Sequence, residues 1–302
     1  MRERRYPTDM SDAEWRLIEP LLPPPACTLP TGGRPEKYDR RDVVDAIRYL
    51  VDNGIKWRAV PADFGIPWRS LYAYFQRWAA AGVVAHLRDQ LHQQVREREG
   101  KNPRTVTVIL DSQSVKGAET VGAATRGYDA GKKINGRKRH LAVDTRGLPL
   151  AVMVTPASLH DGPAAHDFLF RLRLAHPEIT LAWADSAYGG QLVDWAHTFL
   201  GLTLRTVARP KGQKGFQVLP KRWVVERSIS WIMRARRNCR DYERLPQHSE
   251  AHLAWTTITL MTRRLTKPVK KRPAPTTSQP ARPAPVRIRA RTRGIRLAPA
   301  TQ

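Results

Sequence analysis

The chain is poor in cysteine and has no long apolar run. Its 302 residues include two cysteines, Cys27 and Cys239, too few for a disulfide framework or a cysteine-rich zinc site. No apolar stretch approaches the roughly 18 residues that a membrane helix needs. These shortages argue against a disulfide-rich secreted protein and a membrane protein, and they predict a protein of the reducing cytoplasm.

Acidic residues are also scarce. Only 27 Asp and Glu stand against 52 Lys and Arg, which gives a net charge of +25. An excess of this size predicts a polyanionic partner, and nucleic acid is the commonest one. Hydrophobic residues make up 41% of the chain, enough to build a core.

The composition divides the chain into three predicted regions. Residues 1–100 have helical spacing of apolar residues, and residues 101–266 alternate strand-like and helix-like segments. Residues 267–302 contain ten basic residues, seven prolines and no acid, so we expect a disordered basic tail. The tail is either a solvated extension or a source of non-specific DNA affinity.

Residues 1–100 are predicted to be an all-α, helix-turn-helix-like DNA-binding domain. A capping box at Ser11–Glu14 begins one helix, Asn53-Gly54 ends a second, and Pro67 begins a third. The third helix would present Arg69 and Arg77 to DNA. A plain helical bundle remains the alternative.

Residues 101–266 are predicted to be an α/β domain with a mixed sheet, in the order β-ββ-α-β-α-β-α. One strand ends at Asp111 and another at Asp185, and a long helix over residues 220–237 carries Glu226. Active sites of α/β sheets gather at strand ends. Three hard oxygen ligands suit Mg²⁺ or Mn²⁺, and two such ions can drive phosphodiester chemistry.

Glu226 and Glu243 are the two candidates for the third oxygen ligand of the metal site. Seventeen residues separate them, about 25 Å along a continuous helix, so the two cannot share one site. Glu226 lies at the edge of an apolar stripe, and we expect it to be half-buried with basic neighbours. Glu243 is expected to lie near a helix end.

A basic run precedes the second strand. Its members are predicted to lie on an exposed hairpin edge and to contact the DNA backbone: Lys132, Lys133, Arg137, Lys138 and Arg139. Asp161 follows a histidine but is read as turn and helix-start chemistry rather than a metal ligand.

Four segments together resemble the DDE transposases of bacterial insertion sequences, of the insertion-sequence-five type. They are the runs 110–116, 127–140, 183–188 and 222–227, and the resemblance extends over residues 8–245. It implies a ribonuclease-H-like catalytic domain in which Asp111, Asp185 and Glu226 are the metal-binding triad.

The third motif of that family reads Tyr, two residues, Arg, three residues, Glu, six residues, Lys. Here Arg222 and Glu226 match, whereas Leu219 replaces the tyrosine and Met233 the lysine. Arg234 and Arg237 are the candidates to supply the missing positive charge. We therefore add Arg222, Arg234 and Arg237 to the predicted DNA contacts.

The resemblance implies a nucleoid-associated bacterial enzyme that binds terminal inverted repeats, cleaves them with two Mg²⁺ or Mn²⁺ ions, and joins the 3′-OH to target DNA. Pairing of two ends implies at least a homodimer. Two alternatives remain: a stand-alone nuclease of the same fold, and a non-catalytic DNA-binding regulator derived from a transposase.

Overall fold

The computed structural model describes residues 2–207 and 221–268. Residues 1–267 form one compact unit. The predicted tail, apart from its first two residues, and Leu219 lie outside the described residues, as does Pro220, the predicted start of the long helix. No helix in the described ranges is long and apolar enough to cross a bilayer.

Four helices make up the first hundred residues. They are α1 (Asp12–Ile18), α2 (Arg40–Asn53), α3 (Trp68–Ala80) and α4 (Val83–Arg98). The predicted capping box is present, because the Ser11 side chain accepts from the Glu14 N–H and the Glu14 carboxylate accepts from the Ser11 N–H. Gly54 ends α2 at φ 70°, where a Cβ would meet Arg236 at 2.9 Å, so glycine is required there.

The connection between α2 and α3 differs from the prediction. Residues 54–67 contain two short 3-10 turns, at Trp57–Ala59 and Ala62–Phe64. A helix-turn-helix joins its helices through three or four residues. The second and third helices are therefore not joined as in a helix-turn-helix, although the second ends and the third begins where the sequence places them.

Six strands and three helices follow, and a last helix completes the described chain. The strands are β1 (Thr107–Lys116), β2 (Gly127–Asp129), β3 (Ile134–Asp144), β4 (Pro149–Pro156), β5 (Leu181–Asp185) and β6 (Thr203–Val207). The helices are α5 (Asp161–Ala175), α6 (Gln191–Leu200), α7 (Arg222–Met233) and α8 (Pro246–Thr266). The predicted order of elements is confirmed, and β2 and α8 are additions to it.

The sheet is mixed, as predicted, and its main order is β4-β3-β1-β5-β6. Strand β1 runs parallel to β5, which runs parallel to β6, whereas β3 is antiparallel to β1 and β4. Helices α5 and α6 cover one face, and α7 covers the other. This arrangement is compatible with a ribonuclease-H-like domain.

Helix α8 packs against both parts of the molecule. Trp255, Ile258 and Met261 of α8 belong to the same buried cluster as the apolar residues of α1 to α4. Leu253 instead joins the cluster between α7 and the sheet. The N-terminal helices therefore share their core with the last helix of the described chain.

Candidate active site

Asp111 and Asp185 lie on neighbouring parallel strands. Asp185 is the last residue of β5, as predicted, but Asp111 lies in the middle of β1, because β1 continues to pair with β3 as far as Lys116. The last β1–β5 pair is Ile109 with Trp183, so each aspartate comes two residues further along its strand. Side chains two residues apart share a face, which brings both carboxylates to one side of the sheet.

Helix α7 covers that side. Asp111 is opposite Leu141, and Leu141 packs with Val225 and Ile232 of α7. The predicted apolar stripe of α7 is thus confirmed. The helix stops at Met233 instead of residue 237, because Ala235 adopts an extended conformation and the Asn238 side chain donates to the Ile232 carbonyl.

The charge of these two carboxylates is only partly balanced. Burial raises the pKa of Asp111 to about 6, and repulsion from Asp185 adds to the rise, against the Ser112 N–H, Arg222 and Lys132, which lower it. Asp111 accepts a backbone hydrogen bond from Ser112 at 2.8 Å. Among the described residues, the nearest cationic contact of Asp185 is Arg222, at 4.0 Å. Two neighbouring carboxylates with no cation closer than 4.0 Å among residues 2–207 and 221–268 suit a hard divalent cation.

Glu226 lies one turn beyond Arg222 on α7 but does not join the two aspartates. Within residues 2–207 and 221–268, no three His, Cys, Asp or Glu side chains are grouped to hold a metal ion. Glu226 is exposed rather than half-buried, which corrects the expectation from the sequence. The carboxylates of Asp111 and Asp185 thus fit a divalent cation as its oxygen ligands. The role of Glu226 stays a prediction.

Glu243 occupies a different place. It is buried, 2.6 Å from Arg237 and 3.3 Å from His252. Burial would raise its pKa, but His252 and Arg237 outweigh burial and lower the pKa to about 2. The negative charge of Glu243 is therefore balanced by neighbours inside the protein.

Four of the predicted DNA contacts are buried, and the prediction is wrong for them. Arg137 is 0% exposed and lies 3.2 Å from Asp241, and Arg139 is 1% exposed and donates to the Asn238 carbonyl. Lys138 pairs with Asp161 at 3.2 Å, and Arg237 pairs with Glu243. Arg137, Lys138 and Arg139 lie on β3, which is an inner strand between β1 and β4 rather than an exposed edge, and partners lie against both of its faces.

The remaining predicted contacts are accessible or close to the aspartates. Arg222 and Lys132 lower the pKa of Asp111, and the exposed Lys133 is next to Lys132 in the turn between β2 and β3. The other members are exposed on helices: Arg69 and Arg77 on α3, and Arg234 just beyond α7.

One cluster of polar side chains near the aspartates was not predicted from the sequence. Asp161, the first residue of α5 as expected, faces Lys138, and His140 follows two residues later on the same side of β3. The hydroxyl of the fully buried Tyr188 has no hydrogen-bond partner in the described chain, and burial followed by the charges of Asp161, Asp111 and Asp185 raises its pKa. Only the pairing of β3 with its neighbours reveals this grouping.

Two family models match the chain. Residues 102–261 match the one described as a transposase DDE domain, and residues 10–88 match the one described as "Putative transposase of IS4/5 family". A protein of Burkholderia cepacia, "Insertion element IS402 uncharacterized 16.2 kDa protein", is 34% identical over 89 residues, which are 28% of this chain and 55% of that protein. The chain therefore spans about half the length of this curated relative.

Proposed function

The chain belongs to the transposases with a DDE domain, of the IS4/IS5 type, and from this membership we propose that it binds insertion-sequence ends, cleaves them and joins them to target DNA. The observation that carries the proposal is the pair of crowded carboxylates, Asp111 and Asp185, on the α7 side of the sheet. Phosphodiester hydrolysis and strand transfer are the chemistry that such a pair supports when it holds divalent ions.

Asp111, Asp185 and Glu226 would hold Mg²⁺ or Mn²⁺. The bound ions would lower the pKa of an attacking water and offset charge on the phosphodiester. Arg222, 4.0 Å from Asp185, would attract the DNA phosphate to the same place. Lys132 and Lys133, in the turn beside β1, would hold the neighbouring backbone.

Two DNA ends must be brought together before joining, so we propose that two copies of the chain act in one complex. The exposed Arg69 and Arg77 of α3 are proposed to contact the end sequence. Because α1 to α4 share a core with α8, we expect end binding to require the chain through α8 rather than residues 1–100 alone.

The test is incubation of the full chain with Mg²⁺ and DNA that carries the terminal repeats flanking its gene. We expect cuts at the repeat ends and joined products. Asp111→Asn should abolish both, and Asp167→Asn, which removes the same charge from the exposed side of α5, should leave both intact. Cutting without joining would indicate a nuclease, and binding without cutting would indicate a regulator.

A further inference from the structure

A cavity of about 350 Å³ lies between α2, α7 and α8, apart from the two aspartates. Among the described residues that line it, five are cationic and one, Asp52, is acidic. The cationic members are Arg48, Arg234, Arg263, Arg264 and Lys267. A concave site with this excess of positive charge attracts an anion.

Arg48 is the most unusual member of the lining. Its side chain is 1% exposed, and it reaches Glu14 at 3.0 Å through Nη2 only. Its Nε and Nη1 are buried without a hydrogen-bond partner in the described chain, as is the hydroxyl of Thr8, which also lines the cavity. Buried donors are nearly always satisfied, so these atoms are available to a bound group that accepts hydrogen bonds, either a water molecule or an anion.

The lining of the cavity includes the ring of Trp231, and two guanidinium groups lie close to this ring. Arg264 lies 4.4 Å from the ring centroid of Trp231, and Arg227 lies 4.8 Å from it. Arg227 also lies 4.6 Å from the ring of Trp223, which is 43% exposed. Alternating arginine and tryptophan side chains are typical of surfaces that follow a nucleic-acid strand.

This surface is continuous with the proposed active site through α7. Trp223 follows Arg222 directly in the first turn of α7, and Arg234 is next to the last residue of the helix. The helix is about 18 Å long, so the cavity lies within a few nucleotides of the aspartates. A DNA strand that enters the site along α7 would carry one of its phosphates to the cavity.

We propose that the cavity between α2, α7 and α8 binds a backbone phosphate of the DNA, with Arg48, Arg234 and Arg264 as its main ligands. The inference rests on the proposed action on DNA. The cavity fixes the strand at a second point and so positions it for the carboxylates. Because Arg48 lies on α2 and Arg234 lies just beyond α7, DNA bound in the cavity would contact both the N-terminal helices and the part of the chain that carries the two aspartates.

The test measures binding of the full chain to a duplex with the flanking repeat, by fluorescence anisotropy without divalent metal between 50 and 200 mM salt. Arg264→Gln and Arg234→Gln should each weaken binding about tenfold and reduce the logarithmic salt slope by about one. Arg171→Gln, which removes an exposed arginine from α5, should change affinity less than twofold. Equal effects of all three variants would overturn the proposal.

A second arm separates DNA from free anions. Inorganic phosphate should raise the melting temperature of the wild type, and Arg48→Lys, which keeps the charge near Glu14 but removes the guanidinium, should lose that rise. Stabilisation by phosphate with unchanged DNA affinity in Arg264→Gln would mark a free-anion site and contradict the proposal.

Failure of the proposed function would be distinguishable. If the wild type binds the repeat but never cleaves it, while Arg264→Gln weakens binding, the cavity proposal stands and the catalytic one falls. If Asp111→Asn abolishes cleavage while Arg234→Gln and Arg264→Gln bind DNA like the wild type, only the cavity proposal is overturned.

Discussion

Two groups of carboxylates in this chain differ in how their charge is balanced. Asp241 and Glu243 lie against Arg137, Arg237 and His252 at 2.6 to 3.3 Å. Asp111 and Asp185 lie near each other, with Arg222 no closer than 4.0 Å.

The pKa values of the two groups reflect how many positive charges lie close to each carboxylate. The pKa of Glu243 is lowered to about 2 although the residue is buried, whereas that of Asp111 is raised to about 6. The charge of a buried acid with close cations is balanced inside the protein, whereas a half-buried acid without such cations among the described residues is available to a cation from solution. The comparison separates a group whose charge is balanced inside the protein from the pair that we propose to be catalytic, and it does so without reference to the family.

The largest expected effect is on cleavage. Asp111→Asn should lower the rate by about 10³-fold or more, because a lost metal ligand removes several kcal/mol of transition-state stabilisation. Its free energy of unfolding should stay the same or rise slightly, since the change relieves repulsion with Asp185. Single-turnover cleavage and urea unfolding measure the two quantities. A large loss of stability would place Asp111 in the structural group.

Glu243→Gln should show the opposite pattern. Removing the carboxylate leaves Arg237 buried without its counter-charge and leaves His252 without its acidic neighbour, which costs about 3–5 kcal/mol of unfolding free energy. Cleavage per folded molecule should be near that of the wild type. Urea denaturation with the cleavage assay below the transition checks this, and a stable but inactive variant would move the site to Glu243.

The same ion pair predicts a dependence of stability on pH. The pKa of Glu243 is lowered from 4.5 to about 2 on folding, so its contribution is complete above about pH 4.5 and is lost as the pH falls toward 2. The loss is about 3 kcal/mol at most. Between pH 5 and 3 the wild type should therefore lose more unfolding free energy than Glu243→Gln, and parallel curves would contradict the assignment.

Of the three substitutions, Glu226→Gln is expected to have the smallest effect when the changes in unfolding free energy and in cleavage rate are taken together. Glu226 is exposed and has no ion pair or hydrogen bond in the described chain, so its unfolding free energy should change by less than about 0.5 kcal/mol. As the proposed third ligand, it should still lower cleavage about 10²-fold. An unchanged cleavage rate would leave the site with two carboxylates.

The sequence predicts the elements of the catalytic part well, for local reasons. An apolar β-branched run begins β1, and an apolar run without β-branched residues forms β5. The turn at residues 145–147 is fixed by Asp144, whose Oδ1 accepts from the Arg146 and Leu148 N–H groups at 2.8 Å. Asp111 and Asp185 could be singled out because a carboxylate inside or just after an apolar strand needs a specific reason.

The burial of the basic run could not be predicted locally. Arg137 and Arg139 find their partners, Asp241 and Asn238, about 100 residues later in the chain. Without those partners, a run of arginine and lysine before a strand looks like a solvated surface. The side chains of Arg137 and Arg139 are buried because the Asp241 carboxylate and the Asn238 carbonyl lie against the face of β3 from which they project.

The packing of α8 against both parts of the molecule could not be predicted from the sequence for a similar reason. Its apolar residues divide between two clusters, so they do not form one stripe in the sequence. The exposure of Glu226 was missed because helical spacing fixes which residues share a face, but it does not fix how far that face lies from the sheet.

Direct binding of Mn²⁺ to the full chain, followed by electron paramagnetic resonance, tests the central claim that the charge-poor carboxylates form the metal site. The wild type and Glu243→Gln should bind with similar affinity, and Asp111→Asn should bind at least about tenfold more weakly. Equal binding by all three, or a loss confined to folded Glu243→Gln, would contradict it.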